Sequence, residues 1–200
     1  TISDAASVEQ VLAINADLAA ETTGAAGLTA VVAGYTVTDT NANLATELLL
    51  GEVVDRAGTV VVTDAVTVAQ VAALAAAYTL TDGDATLGTD ITYSLADTAA
   101  NVIAAAGGEE AGATSISISD TSVTVSQATS LTALANFDDV YTVSDTVANL
   151  VGETADADVA RLNAAVSVTV ADNVANLEAA NGLTVLAAAT TDTVALTDTL

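Results

Sequence analysis

One short string recurs eight times along the chain, and it constrains the fold more than any other feature. The string alternates apolar and small hydroxyl residues and closes on an aspartate, as in Tyr141-Thr142-Val143-Ser144-Asp145. The closing aspartates are Asp39, Asp64, Asp82, Asp97, Asp120, Asp145, Asp172 and Asp198, and Ile2-Ser3-Asp4 has the form of a shortened ninth copy. Such a repeat indicates one supersecondary unit copied in tandem.

Each string predicts a β-strand with one face in the core. The residues four and two positions before the aspartate are apolar in every copy, and the residues between them are mostly Thr or Ser. Alternation with a period of two is typical of a half-buried strand. All four tyrosines of the chain occupy the same position of the string, four residues before the aspartate: Tyr35, Tyr78, Tyr93 and Tyr141.

Two kinds of helix start follow the strings. The Asn-type start reads DTNANL at Asp39, DTAANV at Asp97, DTVANL at Asp145 and DNVANL at Asp172. The Gln-type start reads SVEQV at Ser7, TVAQV at Thr67 and TVSQA at Thr124, and near 122–126 it predicts an extra strand before the helix. An aspartate ahead of Ala-rich sequence predicts a helix cap, so the aspartates are interpreted as a row of caps, with calcium bridging as the alternative.

These elements predict an α/β fold, a solenoid of parallel strands and short helices with right-handed crossovers. A mostly-β right-handed solenoid is the alternative. No Pro-rich or Ser-rich linker interrupts residues 1–200, which predicts a single elongated domain, interpreted as a fragment of a longer repeat protein. The short intervals around Asp82 and Asp97 predict that a loop or hairpin replaces a helix there.

The charge of the chain limits its partners. Two arginines and 26 acidic residues give a net charge of −24. Nucleic acid and anionic membranes need positive charge to bind, so both are excluded as direct partners. Calcium is the expected cofactor if there is one, and solubility alone is the other interpretation of the charge. The longest uncharged stretches contain Gln and several hydroxyls, so no transmembrane segment is predicted.

The residue types argue against catalysis. The chain has no His, Cys or Lys, which removes the common general base, the thiol nucleophile and the Schiff-base amine. Carboxylate pairs for glycoside hydrolysis remain available, but the sequence has one Phe and no Trp to form a sugar platform. We therefore expect no enzyme activity.

The best local metal candidate is formed by Asp82, Asp84 and Asp90 in the segment TDGDATLGTD. Alternate acids beside a glycine can hold a hard cation, although the spacing matches neither an EF-hand nor a calcium-binding nonapeptide. A polar turn is the competing interpretation. Glu109-Glu110 and Asp138-Asp139 are interpreted as solvated loop charges.

The hydroxyl positions of the strands carry one further hypothesis. A flat array of Thr on a strand face can order water, so the sequence admits an ice-binding surface made of Thr36, Thr38, Thr79, Thr81, Thr142 and Thr169. Val61, Ala96, Ala171 and Ala195 interrupt these rows, and packing against another layer would select the same small residues.

The strings YTVSDTVANL, YSLADTAANV and VTVADNVANL, together with SISISDTSVTVSQATSL, resemble DTxANL-type tandem repeats of large, acidic, secreted bacterial surface proteins of the adhesin-like and S-layer-like kind. The resemblance covers most of the chain. It implies an extracellular location on a bacterial cell surface, export by type I secretion and frequent calcium binding. The calcium nonapeptides common in such proteins are missing here.

The expectation from sequence is a noncatalytic extracellular structural module that self-assembles in a surface layer, a filament or an adhesin, with or without calcium. The alternative is a ligand-binding solenoid module for calcium, carbohydrate or ice. The expected partner is another copy of the protein, and a cell-surface glycan is a further candidate.

Overall fold

A computed structural model describes residues 5–22, 35–48, 57–82, 87–105, 107–151 and 165–172. In these ranges helices and strands alternate along the chain. Their order is α1 (Val8–Thr22), β1 (Tyr35–Asp39), α2 (Asn41–Leu48), β2 (Ala57–Val66), α3 (Val68–Asp82), β3 (Ile91–Asp97), α4 (Ala99–Ala104), β4 (Ile116–Ile118), α5 (Val125–Thr132), β5 (Thr142–Asp145), α6 (Val147–Val151) and β6 (Ser167–Val170).

The chain divides into two compact units. The first contains Thr1–Ala96 and Ala105–Ile116, and the second contains Asp97–Ala104 and Ser117–Leu200. The single elongated domain over residues 1–200 stays a prediction.

Neighbouring strands pair in chain order and in parallel. Strands β1 to β4 form a four-stranded sheet in the order β1-β2-β3-β4, and β5 and β6 form a two-stranded sheet. Between β1 and β2, Val37 pairs with Val60, and between β5 and β6, Val143 pairs with Val168. Parallel strands need a crossover, which the intervening helices provide. The α/β class and the parallel strands are thus confirmed, and helices hold more of the described residues than strands do.

The predicted apolar positions of the strands form the core. In the first unit Tyr35, Val37, Val60, Tyr93 and Leu95 are at most 3% exposed, while the hydroxyl residues between them are half-buried. The second unit repeats the pattern with Tyr141, Val143, Val168 and Val170. Helix residues are buried in each unit as well: Val11, Leu44, Val71 and Leu74 in the first, and Val102, Ala128, Leu131 and Leu150 in the second. Period-two alternation therefore identified the buried strand face correctly.

The string that ends at Asp82 was wrongly predicted to be a strand. Residues 78–82 continue α3, which runs for 15 residues from Val68 to Asp82. The ten preceding residues include six alanines, the strongest helix former, and no glycine or proline occurs between Val68 and Gly83. Helix propagation from a strong start costs little per residue, so it extends through the Thr-containing string. The sequence predicted that a loop or hairpin would replace a helix near Asp82. In the structure the helix is present, and it is the strand that is missing.

The extra strand predicted near 122–126 is also smaller than expected. Val123 makes a single parallel bridge with Val143, and α5 begins two residues later at Val125. Ala6 makes the equivalent bridge with Val37. The shortened copy at Asp4 and the copy at Asp198 lie outside the described residues.

No helix in the described ranges combines the length and apolar character needed to span a bilayer.

Candidate functional site

The repeated aspartates were predicted to cap helices, and two of them, Asp39 and Asp145, each accept bonds from two helices. Asp39 shows the arrangement in full. Its Oδ1 accepts the backbone N–H of Thr40 at 2.8 Å and the side-chain amide of Asn43 at 2.7 Å. Its Oδ2 accepts the N–H of Val8, the first residue of α1, at 3.0 Å. Asp39 therefore contacts the helix that follows it and the helix of the preceding repeat.

Asp145 repeats this geometry in the second unit. Its Oδ1 accepts the N–H of Thr146 at 2.8 Å and the side-chain amide of Asn149 at 2.7 Å. Its Oδ2 accepts the N–H of Val125, the first residue of α5, at 3.0 Å. Asp145 is only 9% exposed. A carboxylate at this depth is stabilised by the three donors it accepts, because a buried charge without partners is costly.

Three other aspartates cap the preceding helix in the same way. Asp64 accepts the N–H of Asn41 at the start of α2, at 2.6 Å. Asp120 accepts the N–H of Ala99 at the start of α4, and Asp172 accepts that of Val147 at the start of α6, at 3.3 Å. The donor lies 20 to 31 residues before its aspartate in all five cases. We call this bond the inter-repeat cap.

The N-cap of each helix is a Ser or Thr rather than the predicted aspartate. In the Asn-type starts Thr40 Oγ1 accepts the N–H of Asn43 at 3.4 Å, and Thr98 and Thr146 do the same for Asn101 and Asn149. The hydroxyl thus satisfies one of the N–H groups that a helix leaves open at its start. The aspartate accepts the N–H of the N-cap residue itself, which is why it stands one position earlier.

The Gln-type starts use a capping box instead. Thr124 Oγ1 accepts the N–H of Gln127, and Gln127 Oε1 accepts the N–H of Thr124. Ser7 with Gln10 and Thr67 with Gln70 make the same reciprocal pair of bonds. No role was predicted for the Asn and Gln from the sequence. The constant spacing could have indicated their role: each Asn lies four residues after its aspartate, and each Gln lies three residues after its Ser or Thr.

Hydrogen bonds set the ionisation of Asp39. Burial alone would raise the pKa of this carboxyl, but the bonds from Asn43, Thr40 and Val8 together outweigh burial and hold the pKa below its ordinary value. The carboxylate is therefore the favoured form at neutral pH. Its oxygens already accept three N–H groups, so calcium coordination by Asp39 would compete with them. Calcium bridging through the row of aspartates stays a prediction.

The β3–β4 connection holds another buried carboxylate. Glu110 is 7% exposed, and its two oxygens accept the N–H groups of Gly107 at 2.8 Å and Gly108 at 3.1 Å. Tyr93 donates its hydroxyl to the Glu109 carbonyl. Burial first, then the charges of Glu109 and Glu110, raise the pKa of Tyr93 to about 12.

Two of the acids interpreted as solvated loop charges therefore have structural partners. Glu110 is buried against glycine amides, and Asp139 accepts the N–H of Ile118 at 2.8 Å through Oδ2 and that of Val140 at 2.9 Å through Oδ1. Asp138 is exposed, as expected.

The structure describes two of the three residues of the predicted metal site. Asp90 is half-buried in the turn before β3, Asp82 ends α3, and Asp84 lies outside the described residues. Within the described ranges, no group of three or more acidic side chains has the geometry to hold a metal ion. The site at Asp82, Asp84 and Asp90 stays a prediction.

The hydroxyl face differs from the regular array that ice binding requires. Thr79 and Thr81 lie in α3 and not on a strand. Elsewhere hydroxyls bond to one another across neighbouring segments, as Ser167 does to Thr142 at 3.2 Å and Ser115 to Ser94 at 3.1 Å. These bonds stabilise adjacent repeats and use donors that would otherwise order water.

Comparison with known proteins gives one local similarity. Over 63 residues, or 32% of this chain, the sequence is 46% identical to an S-layer protein of Synechocystis sp.. The aligned region is 4% of the length of that protein. No protein-family model matches the chain. No solved structure matches it either.

Proposed function

We propose that this chain is a noncatalytic structural module of a bacterial cell-surface protein, acting in a surface layer or a related self-assembled array. The observation that carries the proposal is the inter-repeat cap, which recurs at Asp39, Asp64, Asp120, Asp145 and Asp172. Each of these five aspartates caps the helix of the preceding repeat. A chain built this way is suited to providing a stiff, extendable scaffold.

The local similarity to an S-layer protein supports the surface role. The chain covers a small part of that protein, so the role is proposed for this module and not for the whole relative. Repeats in such a protein would place many copies of one strand–helix unit in series. We propose that the strands stack as a solenoid, with neighbouring strands about 4.8 Å apart.

The absence of enzyme activity is part of the proposal. It rests on residue types: the chain lacks His, Cys and Lys altogether. The acidic groups that are well defined here, Asp39, Asp145 and Glu110, are occupied by backbone or amide N–H donors. They stabilise helix starts and a loop, which is a structural use of a carboxylate.

Calcium enters the proposal through charge. A net charge of −24 opposes close approach of two copies unless cations are present. Because the capping carboxylates already accept N–H bonds, calcium would act on exposed acids such as Glu9, Asp17 and Asp138. We therefore propose that contact between copies depends on calcium.

The test is the size of the full chain by light scattering and negative-stain electron microscopy, with and without millimolar calcium. Magnesium and sodium chloride at matched ionic strength control for simple screening. Sheets or filaments that need calcium would support the proposal in full. Assembly in every salt would support the structural role and remove calcium from it, whereas a monomer in every condition would contradict self-assembly.

Location is tested separately. Antibodies raised against the chain should label intact cells of the source organism as strongly as permeabilised cells. Labelling only after permeabilisation would contradict the surface role.

A further inference from the structure

A surface cleft of about 380 Å³ lies beside the N-terminal half of α5. It is lined by Val125, Ser126, Thr129, Ser130, Asp145 and Asn149, all within the second compact unit. Asp145 is the charged member of this lining, and nine-tenths of its surface is buried. The inter-repeat cap of α5 thus also forms part of a cleft.

The lining offers hydrogen-bond acceptors. Thr129 donates its hydroxyl to the carbonyl of Val125 at 3.0 Å, and Ser130 donates its hydroxyl to the carbonyl of Ser126 at 3.2 Å. A hydroxyl has one proton, so both oxygens can only accept further bonds. Asn149 donates its side-chain N–H to Asp145, and its side-chain carbonyl oxygen is a hydrogen-bond acceptor.

The repeat fold does not require these hydroxyls. Helices α1, α3 and α5 share the Gln-type start, which aligns Val8-Glu9-Gln10 with Val68-Ala69-Gln70 and Val125-Ser126-Gln127. At the positions of the three cleft hydroxyls, Ser126, Thr129 and Ser130, helix α3 has Ala69, Ala72 and Ala73. Ser and Thr are weaker helix formers than Ala, so α5 departs from its sister helix at the positions that line the cleft.

We propose that this cleft binds a cationic hydrogen-bond donor, the guanidinium or ammonium group of a basic side chain. The carboxylate supplies the negative charge, and the hydroxyl and amide oxygens supply acceptors around it. The positive end of the α5 dipole would disfavour a cation in the cleft. The Asp145 carboxylate offsets it, because Oδ2 accepts the N–H of Val125 at the start of α5.

A metal ion fits the cleft less well. Asp145 already accepts three N–H bonds, from Thr146, Asn149 and Val125, and direct coordination of a cation such as calcium would compete with them. A donor cation needs only the remaining lone pair and the neighbouring oxygens. A net charge of −24 attracts basic molecules, so we assign the basic group to a partner molecule. The inference goes beyond the proposed structural role and does not depend on assembly.

The experiment is an NMR titration of the ¹⁵N-labelled full chain with methylguanidinium chloride at constant ionic strength. Saturable shifts are expected at the Asn149 side-chain amide and at the backbone amides of 126–130. The variant Ser126→Ala/Thr129→Ala/Ser130→Ala gives α5 the side chains of α3 at these positions. It should remain folded and lose affinity by about fivefold or more, because neutral acceptors are removed and the carboxylate is kept.

Thr132→Ala is the matched control, because Thr132 lies on the same helix outside the cleft and donates its hydroxyl to the Ala128 carbonyl. Its affinity should equal that of the unmodified chain. Should the triple variant fold poorly, Thr129→Ala alone provides the same comparison.

Two results would overturn the proposal: equal shifts in the unmodified chain and the triple variant, or shifts with calcium chloride and none with methylguanidinium. The source of the cation is distinguished by a second titration with a short arginine peptide. Tighter binding of the peptide would support a protein partner, and equal binding would support a small free amine. Either result would support the binding of a cationic hydrogen-bond donor in the cleft.

Discussion

Replacing Asp39 by Asn tests the inter-repeat cap directly. Asn keeps the size of the side chain but has one acceptor oxygen, so it cannot accept from Val8 on one side and from Thr40 and Asn43 on the other. A hydrogen bond to a charged group contributes about 1.5–3 kcal/mol. Since Asp39 is only half-buried, water replaces part of the loss. We expect the free energy of unfolding to fall by about 1–2 kcal/mol at pH 7.

The pH dependence of this effect follows from the lowered pKa of Asp39. A carboxyl whose pKa is lower in the folded state stabilises the fold above its unfolded pKa of about 4, and this contribution is lost as the pH falls through the folded value. Asp39→Asn has no such group. The difference between the two chains should therefore be full at pH 7 and should shrink below about pH 4.

The measurements are urea unfolding followed by circular dichroism at several pH values, and hydrogen exchange of the Val8 amide. Exchange is the local readout, which matters because repeat arrays do not always unfold in one step. Asp17→Asn is the matched control, since Asp17 is exposed on α1 and the variant has the same net charge. Equal stability of the two variants at pH 7, or a loss that persists unchanged at low pH, would refute the reasoning.

Three further predictions concern single residues. Tyr93→Phe loses the bond to the Glu109 carbonyl and should be less stable by about 1 kcal/mol. Since the pKa of Tyr93 is raised to about 12, the unmodified chain should also lose stability as the pH rises above about 10, and the variant should lose less in titrations to high pH. Gly112→Ala places a Cβ 2.7 Å from the Leu87 Cβ and should cost about 1–3 kcal/mol in urea unfolding, whereas Gly108→Ala, with its nearest atom at 3.3 Å, should cost less. Thr124→Ala removes the N-cap of α5 and should cost about 1 kcal/mol, with faster amide exchange confined to the first turn of the helix. A neutral result at Gly112, or a loss at Thr124 spread over the whole unit, would contradict these assignments.

The strand cores could be predicted because their signal is local and periodic. Tyr35, Tyr93 and Tyr141 fall on buried positions, and the parallel order follows from a helix between successive strands. Period two and a crossover are properties that a single stretch of sequence contains. The string at Tyr78 has the same pattern, but it follows ten residues that include six alanines, and it joins α3. Propensity summed over a long segment outweighed a five-residue pattern there.

The site was only half predictable for a different reason. The sequence shows that each aspartate precedes a helix start, and helix capping was the right chemistry. It does not show that Asp39 Oδ2 accepts from Val8, which lies 31 residues earlier, because that bond depends on how repeats stack. Glu110 was misjudged for the same reason, since only the fold brings the Gly107 and Gly108 amides to its carboxylate.

The two kinds of helix start are two solutions to one requirement. The N-cap residue carries its own N–H, and a nearby side chain must accept it. In the Asn-type start the adjacent aspartate does so through Oδ1, as Asp39 does for Thr40, and the asparagine holds that oxygen in place. In the Gln-type start the aspartate stands several residues earlier, and a glutamine accepts instead, as Gln70 does for Thr67.

The two kinds of helix start differ in their local cap, yet an aspartate precedes both. Asp64 has no such bond to make at the start of α3, yet it still accepts the N–H of Asn41 in the preceding repeat. The feature common to both kinds of repeat is therefore the inter-repeat cap, and the local cap is interchangeable between aspartate and glutamine. Stability of one repeat then depends on the carboxylate of the next, which is the nearest-neighbour coupling by which repeat proteins gain cooperativity.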